Sequence, residues 1–195
     1  MNTLSSTDNY KRKFGAVFTP PEWANKLVEK HFFKGWLNGA TVLDPTAGEG
    51  VFLKAFLKIA RARGIELTNN RVSRLYGIEL NQEFVNNFYK SVAREFSIEF
   101  PKTNFIQGDI FFQKKEIKAD LLIGNPPWVN FSDLEEMYKE KTKNLYIHYG
   151  LVKNPKDLLL GNARTDPHPF SRTPSLVRVS TFGVPRHTSP GASPV

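Results

Sequence analysis

The chain has 195 residues and a mass of 22.2 kDa, room for one domain, and its 40% hydrophobic and 24% charged residues exclude a disordered composition. It has no cysteine, which excludes disulfide scaffolds, zinc–thiolate sites and cysteine nucleophiles and fits a reducing, cytoplasmic setting. No apolar run reaches the roughly 20 residues of a bilayer span, and a formal charge of +8 with a pI of about 9.6 favours a polyanionic partner.

Residues 1–13 form a polar segment ending in Lys11-Arg12-Lys13, with no apolar stretch behind it, so it does not read as a secretory signal. Thr19 to Glu22 fits a capping box with proline at the first helical position, and a helix over Trp23-Ala24-Asn25-Lys26-Leu27-Val28 follows. That helix start is also an anion site suited to the carboxylate of an amino-acid moiety. Thr41 to Asp44 reads as a short strand. Phe52, Phe56, Ile59 and Ala60 fall at helical spacing and predict a helix over Val51 to Ala62 with one buried face. Arg74 to Leu80 is a second strand, and Phe84, Phe88, Val92 and Phe96, recurring every four residues, mark the next helix. Asn104 to Gln107 is a third strand and Ala119 to Gly124 a fourth. Strands alternating with helices predict an α/β fold, a doubly wound and largely parallel sheet with sites at the carboxyl ends of its strands.

All four strands end near a polar group: Asp44, Glu79, Asp109 and Asn125. Each alone suits a turn; in register on one edge they read as a ligand crevice. Gly48 and Gly50 permit a tight turn, and with it the close backbone approach that a nucleoside requires. Glu79 stands where a ribose diol would donate two hydrogen bonds, or where a strand-end acid is simply solvated. The glycine pattern lacks the third glycine of a dinucleotide fingerprint, which speaks against a nicotinamide cofactor. Asn125-Pro126-Pro127-Trp128 is the sharpest feature. Its prolines fix a rigid turn. The Asn125 side chain and the Pro126 carbonyl offer two acceptors to a planar amino group, and Trp128 offers a stacking face worth about 1–3 kcal/mol for a nucleobase. The plain alternative is a Pro-Pro loop with a core tryptophan.

From about Phe14 to Asn130 these residues, in this order, resemble the N6-adenine DNA methyltransferases of the class I S-adenosylmethionine-dependent family. Phe18-Thr19-Pro20 looks like the amino-terminal cofactor motif, and Asp44-Pro45-Thr46-Ala47-Gly48-Glu49-Gly50 like the glycine-rich motif. Ile78-Glu79-Leu80 looks like the ribose-binding acid, Gly108-Asp109-Ile110 like the motif that holds the cofactor adenine, and Asn125-Pro126-Pro127-Trp128 like the catalytic motif. The resemblance implies a Rossmann-like methyltransferase domain over residues 14–160, S-adenosylmethionine as cofactor, DNA as partner and no metal. It also implies a restriction-modification type of enzyme in which Asn125 and Pro126 accept both hydrogens of a flipped adenine's N6 amino group. Methyltransferases acting on protein glutamine or ribosomal RNA share a similar turn and stay open as alternatives, as does a cofactor- or DNA-binding fragment without chemistry. The Phe-Thr-Pro element and Trp128 lean towards DNA.

A sheet of this family has seven strands, of which about four are readable, so the fold is expected to be incomplete. Leu121-Leu122-Ile123 is expected on an apolar edge, leaving the chain poorly soluble and inactive alone. A partner specificity subunit or a missing target-recognition region is implied. Residues 161–195 change character: four arginines and one acid, no lysine, and crowded prolines and serines. This tail is expected to be disordered or an out-of-frame read, without a helix or an interior strand.

Overall fold

The computed structural model describes residues 18–113, 116–126, 135–148 and 177–179. Helix α1 (Pro21–Leu27) runs through a π-helical turn (Val28–Phe32) into α2 (Phe33–Leu37). Then come β1 (Val42–Asp44), α3 (Val51–Ala62), α4 (Asn69–Val72), β2 (Leu75–Glu79), α5 (Gln82–Phe96) and β3 (Phe105–Gln107). The series closes with β4 (Ile117–Ala119), β5 (Leu121–Leu122), α6 (Glu136–His148) and β6 (Val177–Val179).

Strands β3, β2, β1 and β5 form one sheet in that order, and every pairing is parallel. Stepping outward on both sides of β1 brings the carboxyl ends of all four strands to one edge. Side chains alternate across the sheet. Val42, Leu75, Phe105 and Ile123 join the larger core with Trp36, Phe56 and Phe88 from the helices; Leu43, Ile78, Ile117 and Ala119 form a smaller cluster of their own. Trp36 is fully buried and donates its indole N–H to the carbonyl of Arg71 at 3.0 Å.

Several elements differ from the sequence expectation. The strand expected over Ala119 to Gly124 is divided at Asp120, whose carboxylate accepts from the Thr41 N–H at 2.8 Å. β4 then pairs with β6, while β5 pairs with β1 and ends the sheet order. β6 lies in the proline-rich tail and is not an interior strand, in keeping with the expectation for that tail. It is a two-stranded pairing over Val177–Val179, in a stretch between Pro174 and Pro185 where no proline removes a donor. The capping box at Thr19 to Glu22 does not form. The helix starts one residue later, at Pro21, so the cap position falls on Pro20, which has no side-chain acceptor.

Gly50 opens α3 at φ +71°, and a Cβ there would lie 2.3 Å from Cδ2 of Phe88. Phe88 is fully buried and stacks on Phe105 at 3.9 Å between ring centroids. The close approach that Gly50 permits is thus to the core. Gly50→Ala is expected to cost about 2–4 kcal/mol, from the left-handed conformation and from displacing a packed ring. Denaturant unfolding of the variant checks this.

Candidate functional site

The edge where the strands end is built by the loops that follow β1, β2, β3 and β5. After β1 the chain turns through Pro45 to Gly50, closed by the Gly50 N–H on the carbonyl of Ala47 at 2.7 Å. Ala47 is buried and donates its own N–H to the carbonyl of Ile78 at 2.9 Å, so the turn is pinned to β2. Gly48 has φ +54°, and the ring of Phe18 lies 3.5 Å from where its Cβ would be. Phe18 in turn meets Phe84 edge-on at 5.4 Å. The Phe-Thr-Pro element therefore covers the glycine turn.

Glu79 is buried at the end of β2 and is not a solvated acid. Its Oε2 accepts from the Gly48 N–H at 2.7 Å and its Oε1 from the Asn81 N–H at 2.8 Å. One carboxylate thus joins the turn after β1 to the turn after β2. Leu80, the next residue, is exposed. The Gly108 N–H donates to the carbonyl of Glu79 at 2.9 Å and the Gln107 amide to that of Leu80 at 3.0 Å, which sets the β3 loop beside them. In that loop Asp109 accepts from the Phe111 N–H at 2.9 Å through Oδ1 and from the Tyr138 hydroxyl at 2.9 Å through Oδ2. Ile110 packs on the smaller hydrophobic cluster.

Asp44 is 1% exposed. Its Oδ1 accepts from the Thr46 N–H at 3.2 Å, while its Oδ2 and the Thr46 hydroxyl are buried without a partner. A Cβ on Gly124 would lie 2.9 Å from Asp44 Oδ1, so the backbone just before Asn125 passes directly over that carboxyl. A buried carboxyl oxygen and hydroxyl lacking donors fit a ligand that brings them, such as an ammonium group. Burial is the main cause that pushes the Asp44 carboxyl up to about 8; the Thr46 N–H bond lowers it and the charge of Glu79 raises it. The folded carboxyl therefore binds its proton more tightly than an unfolded one, with its pKa of about 3.9. The stability it lends is whole below about pH 4 and is lost as pH rises to about 8. Asp44→Asn, which cannot ionise, is expected to gain on the native chain between pH 5 and pH 8. Urea unfolding of both at the two pH values measures that difference.

Asn125 follows β5, and its Nδ2 donates to the Thr19 hydroxyl at 3.3 Å across 106 residues of sequence. The Thr19 side chain, expected to cap a helix, instead holds the asparagine. Pro126 is half-buried beside it; Pro127 and Trp128 lie outside the described residues. The structure thus brings Phe18, Thr19, Asp44, Thr46, Gly48, Glu79 and Asn125 to one edge, with Asp109 on the next loop. Gly50 faces the core and Pro20 caps α1. Tyr138 was not anticipated, since no motif marks α6; its bond to Asp109 spans 29 residues.

A family model described as N-6 DNA methylase matches residues 3–157. The release factor glutamine methyltransferase of Leptospira interrogans serogroup Icterohaemorrhagiae serovar Lai (strain 56601) is 31% identical over 147 residues, 73% of this chain and 47% of that protein. Type II methyltransferase M.AccI of Acinetobacter calcoaceticus is 27% identical over 142 residues, 70% of this chain and 22% of that protein. Type II methyltransferase M.BstVI of Geobacillus stearothermophilus is 26% identical over 162 residues, 72% and 29% respectively. The chain spans less than half the length of each of these relatives.

Proposed function

The chain belongs to the N-6 DNA methylase family, and from that premise we propose that it serves methyl transfer from S-adenosylmethionine to the N6 amino group of an adenine displaced from DNA. The observation that carries this reading is the placement of Asn125. It is tethered by Thr19, and the residue before it passes over the buried Asp44 carboxyl, one of whose oxygens lacks a donor. S-adenosylmethionine, when bound, supplies an electrophilic methyl group on a sulfonium. Asp44 Oδ2 and the Thr46 hydroxyl suit its ammonium, Glu79 its ribose diol, and Asp109 with the exposed Leu80 and Phe111 its adenine.

The target nitrogen is a poor nucleophile because its lone pair is delocalised into the purine. Asn125 Oδ1 and the Pro126 carbonyl accept the two amino hydrogens, which localises that lone pair towards the methyl. The proton displaced by the new N–CH3 bond passes to solvent. This is stabilisation of a developing geometry, with no strong base required. Displacing the base from the duplex costs a few kcal/mol, and the formal charge of +8 favours the phosphate backbone.

A second reading keeps the site and changes the substrate. A glutamine amide is also a planar NH2, and the 31% identity to a glutamine methyltransferase favours it. The Phe-Thr-Pro element, tied to Asn125 through Thr19, favours DNA. Labelled S-adenosylmethionine offered to DNA, RNA and glutamine-bearing protein in parallel, with protein carrying this domain and competent for transfer, decides between them. The expected result is label in DNA as N6-methyladenine; label on glutamine alone establishes the second reading.

A further inference from the structure

We propose that Tyr138 is a positioning residue for recognition of the cofactor's purine, acting through Asp109; the inference rests on the S-adenosylmethionine reading above. Asp109 has no cation against it among the interactions the structure describes. It is held by two neutral donors, one on each oxygen. The Phe111 N–H is local and closes a turn, whereas the Tyr138 hydroxyl reaches Oδ2 from α6, an element 29 residues further along the chain. Tyr138 is itself held by Phe112, whose ring meets it edge-on at 6.2 Å and 87°.

An ionised carboxylate offers about four lone-pair directions. A single local bond leaves it free to rotate about its Cβ–Cγ axis, and a ligand must then bear the cost of ordering it. A second donor from another element fixes the plane and aims the remaining lone pairs. The carboxylate then favours a ligand edge that donates and repels one that accepts. Leu80, whose carbonyl holds the Gln107 amide, and Phe111, whose N–H the carboxylate accepts, both expose apolar surface suited to a ring. An amino-bearing purine fits such a site; its keto counterpart, with an acceptor at the same position, does not. Tyr138 thereby enters selectivity between purines without touching the ligand.

Calorimetric titration with S-adenosylhomocysteine and with its inosine counterpart tests this. The native chain is expected to prefer the adenine compound. Tyr138→Phe, which keeps the ring against Phe112, is expected to reduce that preference about three- to tenfold, as for loss of one hydrogen bond. Affinity for the inosine compound should stay nearly unchanged. In an Asp109→Ala background the same change at Tyr138 should have no effect on preference. An unaltered preference, or equal loss for both compounds, overturns the proposal and leaves Tyr138 a packing residue. If the native chain binds neither compound, the S-adenosylmethionine reading itself fails, and that is seen before any variant is made.

Discussion

Asn125→Ala is expected to reduce methyl transfer by about a hundred- to a thousandfold or more, the scale seen when one preorganised polar contact to a transition state is deleted. S-adenosylhomocysteine affinity should change no more than about threefold. In the proposed function the asparagine side chain serves the amino group of the target, and its Nδ2 bond goes to a protein hydroxyl, so its loss is expected to fall on the chemical step. Label transfer and titration, run on protein carrying this domain and competent for transfer, measure the two quantities. Robust methylation by the variant removes Asn125 from the assigned role. Thr19→Val, which deletes only the tether, should give an intermediate loss.

Glu79→Ala is expected to damage both fold and binding. Both carboxylate oxygens accept backbone N–H groups, from Gly48 and Asn81, so truncation strands two donors in a buried place. At about 1.5–3 kcal/mol for each hydrogen bond to a charged group, offset by water that reaches the gap, a net loss of about 2–4 kcal/mol follows. Cofactor affinity should fall about ten- to a hundredfold, since the glycine turn loses its anchor along with the ribose acceptor that the proposed function assigns to Glu79. Glu79→Gln is not a mild change here. Its NH2 must face one of the two N–H groups, donor against donor, so it should show most of the alanine defect. Thermal melts and titrations of both variants check this; a glutamine variant with native behaviour returns Glu79 to the status of a solvated acid.

The parts of this molecule that were legible in the sequence are those governed by local pattern. Phe52, Phe56, Ile59 and Ala60 repeat at helical spacing, and α3 spans Val51–Ala62 as that spacing predicts. The polar strand ends pointed to one edge because parallel strands must place them there. Illegible parts depend on contacts far apart in the chain. Nothing near Thr19 shows that its hydroxyl holds Asn125, and nothing near Gly50 shows that Phe88 fills the space beside it. The break at Asp120 was hidden in an apolar run, where one carboxylate bonded to the Thr41 N–H divides the strand. Helix α6 carries Glu136, Lys139, Glu140 and Lys143 with little apolar periodicity, so no stripe announced it. The π-helical turn at Val28–Phe32 leaves no compositional trace that distinguishes it from α-helix.

The central claim is that one edge of the sheet is a methyl-donor site. Amide NMR of the chain titrated with S-adenosylhomocysteine tests it most directly. The account predicts saturable shifts concentrated at Gly48, Asn81 and Phe111, whose N–H groups rest on Glu79 and Asp109, with the distant Lys58 and Glu95 region undisturbed. Absence of binding, or shifts confined to residues away from the carboxyl ends of β1, β2 and β3, would contradict it.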